Sequence, residues 1–464
     1  MAKNAKAATK AGVRAVQRCI LPSCGAQFGI LETLLVCSRC GGPLEVQLTG
    51  EVIRTGKLKS LWASRRGSFD PLDRSGVWRF RELLPFEEDS RVITLGEGNT
   101  PLYDAPRCAE YAGLRALRLK HQGCNPTGSF KDTGMTAAVT QAVLLGAKTV
   151  ACASTGNTAA SLAAYATRAG LQCAILVPRG QIAAAKLAQS MDYGAVICEL
   201  NSNFDDCMRL IKELAENASM YIANSINPFR IEGQKTVAFE LLEECMWKVP
   251  GHVVVPGGNM GNSSALGKGF AELLHLGLIH RLPKLSVVQA EGAAPLARLF
   301  GQMNRKAAAN AAEIPEKIEP VKNPQTLATA IKIGSPVSWR KALRAVLESR
   351  GQVITVSEEE IAGAKAVIGR DGIGCEPASA TTVAGIRKLV AAGKIDREED
   401  VVAVLTGHIL KDSDYIGNYH RGTLLVGAGA KKASKSLIKG GFQNPPEQVA
   451  ATKKAILDSL KRRR

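Results

Sequence analysis

The chain has 464 residues, of which 45% are apolar and 22% charged, and this composition excludes a protein that is disordered throughout. The length predicts about three structural units, and no apolar run reaches the ~18 residues that cross a bilayer. We therefore expect a soluble protein of the cytoplasm that has no membrane partner.

The formal net charge of +18 is concentrated at the two ends of the chain. Residues 1–18 contain five basic and no acidic residues, and residues 430–464 contain ten basic and two acidic residues. We interpret 1–18 as a basic tail, with an import signal as the alternative, and we interpret 430–464 as a basic extension. The interleaved aromatic residues of a single-strand binder are missing from these ends, so we expect no specific nucleic-acid partner.

The extension is predicted to end in a short amphipathic helix that opens after Asn444 and its two prolines. Apolar residues recur on one face of this helix, which favours docking on the body or on a partner. These residues are Val449, Ile456, Leu457 and Leu460.

Residues 19–50 contain four of the twelve cysteines and are interpreted as a ribbon-like segment. The four are Cys19, Cys24, Cys37 and Cys40. Their C-x4-C and C-x2-C pairs are each followed by a glycine, Gly25 or Gly41, which suits turns that aim thiolates at one tetrahedral zinc ion. Free thiols that have lost a metal, or a redox pair, are the alternatives. The other eight cysteines are scattered through apolar segments, as reduced thiols are.

Short β-branched runs alternate with amphipathic stretches between about residues 95 and 408, which is typical of parallel βαβ units. The predicted strands are 149–153, 172–177, 195–200, 252–255, 285–291, 352–356 and 401–405. The predicted helices are 158–169, 183–193, 204–217 and 378–392. The fold class is therefore α/β, with doubly wound parallel sheets in a two-lobed body that spans 51–429.

In an open parallel sheet the ligand lies beyond the carboxyl ends of the strands, so the polar turns that follow predicted strands indicate the site. These turns are 154–157, 256–262 and 406–408. The turn 256–262 reads PGGNMGN and leads into a helix, so its amides could bind a phosphate, although a plain strand-to-helix turn explains its glycines equally well.

Lys131 ends the segment NPTGSFKD, which spans 125–132, and stands where a helical pattern opens. A partly desolvated lysine at a helix N-terminus would have a lowered amine pKa, which suits imine formation with an aldehyde cofactor. A surface lysine is the default interpretation of this residue taken alone.

Four motifs in this order resemble the fold-type II pyridoxal-phosphate enzymes, a family with the tryptophan synthase β fold. They are GEGNTPL at 96–102, NPTGSFKD at 125–132, STGNT at 154–158 and PGGNMGN at 256–262. Within that superfamily the segments NSINPFR at 224–230, EGQKT at 232–236 and IKIGSP at 331–336 are most similar to the threonine synthase family, many of whose members also carry the leading cysteine ribbon.

The resemblance implies roles for individual residues around a pyridoxal 5'-phosphate cofactor. Lys131 would bind the cofactor covalently and then act as acid and base, and Asn157 would bond its 3-hydroxyl group. Thr406 would face the pyridine nitrogen, and a neutral partner there leaves the ring less electron-withdrawing. The expected phosphate cup comprises Gly258, Asn259, Met260, Gly261 and Asn262, although many relatives carry a smaller residue in place of Met260.

The resemblance also implies the substrate, O-phospho-L-homoserine, which this family converts with water to L-threonine and phosphate. Ser154 and Thr155 suit the substrate carboxylate at a helix N-terminus. The residues that match a second phosphate site are Lys186, Asn224, Ser225 and Arg230. The family implies a homodimer.

Two alternatives remain. One is a related enzyme acting on phosphoserine, threonine or serine, as a synthase or a dehydratase. The other is a ribbon protein that binds nucleic acid through its basic ends and whose catalytic lobe is vestigial.

Overall fold

A computed structural model describes most of the chain. It covers residues 14–49, 55–87, 90–154, 156–179, 184–202, 204–217, 220–303, 314–426, 436–438 and 440–462. Within these ranges no helix combines the length and the apolar character that a membrane crossing requires.

The described chain opens with a small antiparallel sheet, which contains the cysteine cluster and has the strand order β2-β1-β3. Its strands are β1 (Arg14–Cys19), β2 (Gln27–Gly29) and β3 (Leu44–Thr49). Strand β1 begins inside the segment that the sequence assigns to a basic tail. Two lysines from later in the chain hydrogen-bond to β3. Lys341 donates to the Leu44 carbonyl at 2.6 Å, and Lys268 donates to the Val46 carbonyl.

Two larger sheets form the body, one with the strand order β12-β11-β10-β13-β5-β4 and one with the order β8-β7-β6-β9. Their strands are β4 (Leu102–Asp104), β5 (Arg118–His121), β6 (Thr149–Ala153), β7 (Gln172–Pro178), β8 (Val196–Leu200), β9 (Met220–Ile222), β10 (His252–Pro256), β11 (Lys284–Ala290), β12 (Val353–Val356) and β13 (Val401–Leu405). Every neighbouring pair is parallel except β4 with β5. The predicted α/β class with two parallel sheets is confirmed.

Helices cover both sheets and fill the space between successive strands. They are α1 (Leu58–Arg66), α2 (Pro71–Arg74), α3 (Pro106–Ala112), α4 (Lys131–Leu144), α5 (Asn157–Ala169), α6 (Ala184–Asp192), α7 (Phe204–Asn217), α8 (Pro228–Glu244), α9 (Gly261–His275), α10 (Pro295–Gln302), α11 (Trp339–Glu348), α12 (Glu358–Arg370), α13 (Pro377–Ala391) and α14 (Ser413–His420). All seven predicted strands and four predicted helices are present, and their ends differ from the predictions by at most one residue.

Helices α4 and α8 are buried along nearly their whole length, so they are internal elements rather than covers. Both begin at the site, because α4 starts with Lys131 and Arg230 lies in the first turn of α8. The packing of these two helices therefore sets the relative position of the two cationic side chains.

Strand β14 (Leu425–Val426), just before the C-terminal extension, pairs antiparallel with β15 (Ser436–Leu437) of the extension, which also contains a last helix, α15 (Lys453–Arg462). The predicted start after Asn444 is wrong. Asn444 and Pro445 each precede a proline, which disfavours helical backbone at both residues, and Val449 lies outside the helix. Ile456, Leu457 and Leu460 are all exposed, so the apolar face does not dock on the described part of the body.

Candidate active site

Lys131 is held beside Thr406 by main-chain hydrogen bonds. The Phe130 amide donates to the Thr406 carbonyl at 2.9 Å, and the His408 amide donates to the Gly128 carbonyl at 2.9 Å. These bonds join the turn before α4 to the segment that follows β13. They place two of the predicted site residues, Lys131 and Thr406, next to each other. The sequence does not show this pairing, because the two segments are far apart along the chain.

The turn that leads to Lys131 is shaped by the next residue, Asp132, whose side chain is buried. Its carboxylate accepts hydrogen bonds from the Thr127 amide at 2.7 Å, from the Thr127 hydroxyl at 2.6 Å and from the Ser161 hydroxyl at 2.6 Å. Burial raises the pKa of Asp132 to about 6, although these hydrogen bonds oppose the change. Asp132 therefore fixes the backbone from which Lys131 projects.

The Lys131 amine is electrostatically prepared to act as a nucleophile or base. Burial, followed by the positive charge of Arg230, lowers the pKa of this amine to about 7, while the Glu376 carboxylate acts in the opposite direction. The Nζ atom lies 4.2 Å from the centroid of the Phe130 ring. A large fraction of the amine is thus neutral near pH 7, as covalent chemistry with an aldehyde requires.

The turn between β10 and α9 has the form of an anion cup. Within the described residues, none of the main-chain amides from Gly258 to Asn262 donates to another backbone group. Both polar atoms of the buried Asn262 side chain have no hydrogen-bond partner in the part of the chain that the structure describes. Asn259 braces the turn from outside, because its Oδ1 accepts from the Val337 amide at 2.6 Å. Unpaired amides at a helix N-terminus are suited to a phosphate.

Met260 does not obstruct the cup, despite its size. Its backbone is left-handed, with φ of 64°, and its carbonyl accepts hydrogen bonds from the hydroxyls of Ser263 at 3.1 Å and Ser264 at 2.6 Å. Its side chain is 2% exposed and packs in the apolar core below the turn. The larger side chain at position 260 is therefore accommodated in the apolar core and does not fill the cup.

Asn157 and Thr406 are brought together by a carboxylate that sequence reasoning missed. Glu376 is completely buried and accepts from Asn157 Nδ2 at 2.9 Å and from Thr406 Oγ1 at 3.0 Å. Oδ1 of Asn157 is buried and unpaired among the described residues. The one sequence signal for Glu376 is its place before Pro377 at the opening of α13, a position that many structural residues share.

Arg230 supplies a buried cation near Lys131. Burial lowers the pKa of its guanidinium to about 10, so the side chain remains charged at neutral pH. Nη1 donates to the Ala223 carbonyl at 3.1 Å, whereas Nε is buried without a partner in the described chain. The unpaired donor leaves Arg230 able to bind an anion.

The other three residues predicted for a second phosphate site, Asn224, Ser225 and Lys186, differ in what the structure shows of them. Asn224 uses its side chain structurally, because it accepts from the Ala153 amide at 3.0 Å and donates to the Ala153 carbonyl at 2.9 Å. Ser225 is half-buried in the turn after β9. Lys186 lies in α6 but its side chain is outside the described part, as is the whole of Thr155.

Ser154 is half-buried directly after β6, and its Oγ accepts a hydrogen bond from the Gly156 amide at 3.3 Å. Gln234, which the prediction did not include, lies between the cup and α4. A Cβ on Gly134 would be 2.5 Å from Nε2 of Gln234, and a Cβ on Gly261 would be 3.7 Å from its Oε1. Its Oε1 is buried and unpaired in the described residues.

The four ribbon cysteines converge as their spacing predicts. Their sulfur atoms all lie within 4.8 Å of one another, with Cys19 and Cys40 at 3.5 Å and Cys24 and Cys37 at 3.8 Å. Tetrahedral Zn–S bonds of ~2.3 Å require sulfur separations of roughly 3.8 Å, so the donor set fits zinc. Gly25 and Gly41 have φ of 56° and 71°, which accounts for a glycine after each pair.

Comparisons with known proteins identify the family of the chain. The model of the "Pyridoxal-phosphate dependent enzyme" family matches residues 93–407. A threonine synthase of Methanocaldococcus jannaschii is 46% identical over 86% of this chain and 93% of its own length, and that of Mycobacterium leprae is 46% identical over 72% and 88%.

The fold is also similar to that of solved structures. An L-serine ammonia-lyase from the fungus Rhizomucor miehei superimposes with a TM-score of 0.57, at 20% identity over 70% of this chain and 99% of that one. At this identity the likeness shows the fold alone. The family match and the curated relatives go further, and the chain belongs to the pyridoxal-phosphate dependent enzymes and, among these, to the threonine synthase family.

Proposed function

We propose that the chain converts O-phospho-L-homoserine and water to L-threonine and phosphate, the last step of threonine biosynthesis, with pyridoxal phosphate bound at Lys131. The observation that carries this proposal is the pairing of a low-pKa lysine with a buried arginine, Arg230, whose charge acts on it. The lysine would bind the cofactor, and the arginine would bind a second anion, the substrate phosphate. A dehydratase of serine or threonine would not need this second anion site.

The residues present fit the cofactor. Lys131 would hold it covalently, and the amides from Gly258 to Asn262 would bind its phosphate, which explains why these amides and the Asn262 side chain have no partner in the described chain. The unpaired Oδ1 of Asn157 and the hydroxyl of Thr406 would contact its ring.

When bound, pyridoxal phosphate supplies an electron sink for negative charge at the substrate α-carbon. Lys131 Nζ would remove the α-proton and then a β-proton, because its lowered pKa lets it both accept and return protons near pH 7. Phosphate would leave from the γ-carbon, which would gain a proton to become the methyl group. Water would add its hydroxyl group at the β-carbon, and the remaining protons would return to the α-carbon and to the released phosphate. Arg230 would hold the phosphate group before and after it leaves, since a guanidinium offers paired donors to its oxygens.

The substrate carboxylate would bind at the N-terminus of α5, where Ser154 and Thr155 precede the helix. The positive end of the helix favours an anion there. Lys186 and Ser225 would add to the phosphate site of Arg230, whereas Asn224 would act mainly by bracing the turn through its two bonds to Ala153.

The test is an assay of the purified protein with pyridoxal phosphate and O-phospho-L-homoserine, following phosphate and threonine together. Equal release of both products is expected, with loss of activity in Lys131→Ala and not in Lys394→Ala, an exposed lysine. Phosphate or keto-acid release from O-phospho-L-serine, L-serine or L-threonine, without threonine synthesis, would move the assignment to the related enzymes.

We further propose that the four-cysteine ribbon binds a structural zinc ion, that two copies form a homodimer, and that the protein works in the cytoplasm. The sulfur geometry supports the zinc, and twelve free cysteines support a reducing compartment. The proposed division is a tail at 1–18, a ribbon at 19–50, a catalytic region at 51–429 and an extension at 430–464. Zinc analysis and sedimentation of the full chain test the first two.

A further inference from the structure

One side chain of α6, the half-buried Gln189, joins this helix to two other segments of the candidate site. Gln189 Oε1 accepts a hydrogen bond from Lys411 Nζ at 2.6 Å, and Gln189 Nε2 donates to the Thr127 carbonyl at 3.2 Å. Lys411 lies in the short 3-10 helix Ile409–Asp412, which follows β13, and Thr127 lies in the turn before α4. The three residues therefore form a bridge between α6 and the two turns that surround Lys131.

The partners of Gln189 determine which way its amide faces. A lysine ammonium group only donates and a backbone carbonyl only accepts, so the amide oxygen must face Lys411 and the amide nitrogen must face Thr127. The nitrogen also donates to the Tyr193 hydroxyl at 3.2 Å, directly after the end of α6. The bond from Lys411 carries a full charge on its donor, and such bonds are stronger than those between neutral groups. The bridge therefore has one geometry, which a side chain without an amide cannot reproduce.

Both ends of the bridge are held by other parts of the site. The amide and hydroxyl of Thr127 donate to the Asp132 carboxylate at 2.7 and 2.6 Å, so Thr127 is bonded to the start of α4 as well as to α6. The stem of Lys411 passes over Gly128, where a Cβ would lie 3.1 Å from the lysine Cε. A glycine at this position gives the lysine room to reach Gln189. A movement of α6 away from the site would break both bonds of the Gln189 side chain.

The bridge matters for the reaction because of what else α6 carries. Lys186 lies three residues before Gln189 on this helix, and positions three apart lie on the same side of a helix. We propose that the bridge between Gln189 and Lys411 positions α6, and with it Lys186, for binding the substrate phosphate. The inference rests on the proposed function, in which Lys186 and Arg230 bind that phosphate. Gln189 and Lys411 are positioning residues in this scheme, because they act on the phosphate through α6.

The test measures the Kd of inorganic phosphate for the holoenzyme by equilibrium dialysis, together with KM and kcat for O-phospho-L-homoserine. In the holoenzyme the cofactor would fill the phosphate cup, so added phosphate reports on the second anion site. Gln189→Leu and Lys411→Met should each raise the phosphate Kd and the KM about tenfold, as loss of a hydrogen bond to a charged group does, and should change kcat less than about twofold.

Conservative and matched variants show whether the hydrogen bond itself is responsible. Lys411→Arg should keep the phosphate Kd close to that of the wild type, because a guanidinium also donates to an amide oxygen. Gln172→Leu removes an exposed glutamine of β7 that is bonded to Thr149, and Lys394→Met removes an exposed lysine. Both controls should leave the phosphate Kd and the KM unchanged.

The double variant Gln189→Leu/Lys411→Met distinguishes a bridge from two independent contributions. It should bind phosphate no more weakly than either single variant, since each single substitution already breaks the same contact. Additive losses would overturn the inference, and so would a phosphate Kd that is unchanged in both single variants. The Tm of each variant is measured by calorimetry, and if Gln189→Leu does not fold, the comparison of Lys411→Met with Lys411→Arg decides.

The threonine assay keeps the two proposals apart. A wild type that forms no threonine, but whose phosphate binding weakens in Gln189→Leu and Lys411→Met, rejects the reaction and supports the positioning of α6. A wild type that forms threonine with a KM that neither substitution changes rejects the bridge alone. A holoenzyme that binds neither phosphate nor O-phospho-L-homoserine rejects both.

Discussion

Gly233 of α8 lies against the carbonyl of Thr133 in α4, so closely that a Cβ on this glycine would stand 1.9 Å from the carbonyl oxygen. The contact lies within one turn of both Lys131, the first residue of α4, and Arg230, in the first turn of α8. Only glycine allows the backbones to approach this far, and the approach determines the distance between the lysine amine and the arginine. The spacing of these two candidate site residues thus depends on a glycine that contributes no side chain to the site.

We predict that Gly233→Ala destabilises the protein by about 1–3 kcal/mol, because overpacking forces the two helices apart. The same displacement should lower kcat. Urea unfolding followed by circular dichroism gives the free energy, and Gly369→Ala is the control, because a Cβ at Gly369 of α12 meets no atom within 4 Å. The control should be neutral or slightly stabilising. Equal stability of the two variants would refute the packing argument.

The second prediction concerns the pH dependence of cofactor uptake. Under the proposed function only the neutral Lys131 amine would attack the cofactor aldehyde, and its pKa is lowered to about 7 by burial and by Arg230. The rate of covalent incorporation into the apoenzyme should therefore reach a plateau above pH 7 and fall about tenfold per pH unit below it. Stopped-flow absorbance measures this rate.

Arg230→Gln should move the plateau of that profile to higher pH, since removing the positive charge lets the pKa of Lys131 rise. Arg168→Gln, a change on the exposed side of α5, should leave the profile unchanged. A profile identical in wild type and Arg230→Gln would show that the charge of Arg230 does not contribute to the lowered pKa of Lys131.

The sequence predicted the sheets well because the strands and helices of a parallel α/β body carry strong, long patterns. Strand β13, predicted as 401–405, is completely buried and apolar, and the polar turn after it reaches the site as expected. Strands β4, β5 and β9 of the two body sheets were missed, because they are short and β5 contains Lys120 and His121. The pairing of these three strands with their neighbours, and not their own composition, makes them strands.

Within the site, residues that stand in distinctive sequence motifs could be predicted. Residues whose role is to hydrogen-bond other site residues could not. Lys131 and the glycine cup stand in motifs whose chemistry is visible in one segment. Glu376 is recognisable only once α13 has brought it to Asn157 and Thr406, and the structural use of Asn224 depends on a contact across β6 and β9. Local sequence does not contain such long-range contacts.

The third prediction tests the ribbon. Cys24→Ser should abolish the binding of roughly one zinc ion per chain and destabilise the protein by about 3 kcal/mol, because the four sulfurs would lose the ion that holds them. Zinc content by mass spectrometry and the Tm by calorimetry measure the two effects. Cys198→Ser, an exposed thiol on β8, is the control and should change neither. Full metal content in Cys24→Ser would exclude a site built from all four cysteines.

The fourth prediction concerns a buried cation that holds α8 against the large sheet. Lys120 Nζ is fully buried and forms ion pairs with Glu240 at 2.5 Å and with Glu244. Glu240 in turn accepts hydrogen bonds from the amides of Asn99 at 2.5 Å and Thr100 at 2.9 Å. The GEGNTPL segment is therefore fastened to α8 through one charge cluster.

Lys120→Met should cost about 3–5 kcal/mol of unfolding free energy, because it leaves the buried Glu240 carboxylate without its cation and leaves Glu244 only its longer pair with Arg66, at 3.7 Å. Arg118→Met, on the same strand, removes a pair with Asp400 that is partly exposed, and it should cost less than about 1 kcal/mol. Denaturant unfolding of both variants measures the difference. Helix α8 also carries Arg230, so Lys120→Met should raise the KM for the phosphorylated substrate more than Arg118→Met does. Equal effects of the two variants on stability and on KM would contradict a role for the buried charge cluster in positioning α8.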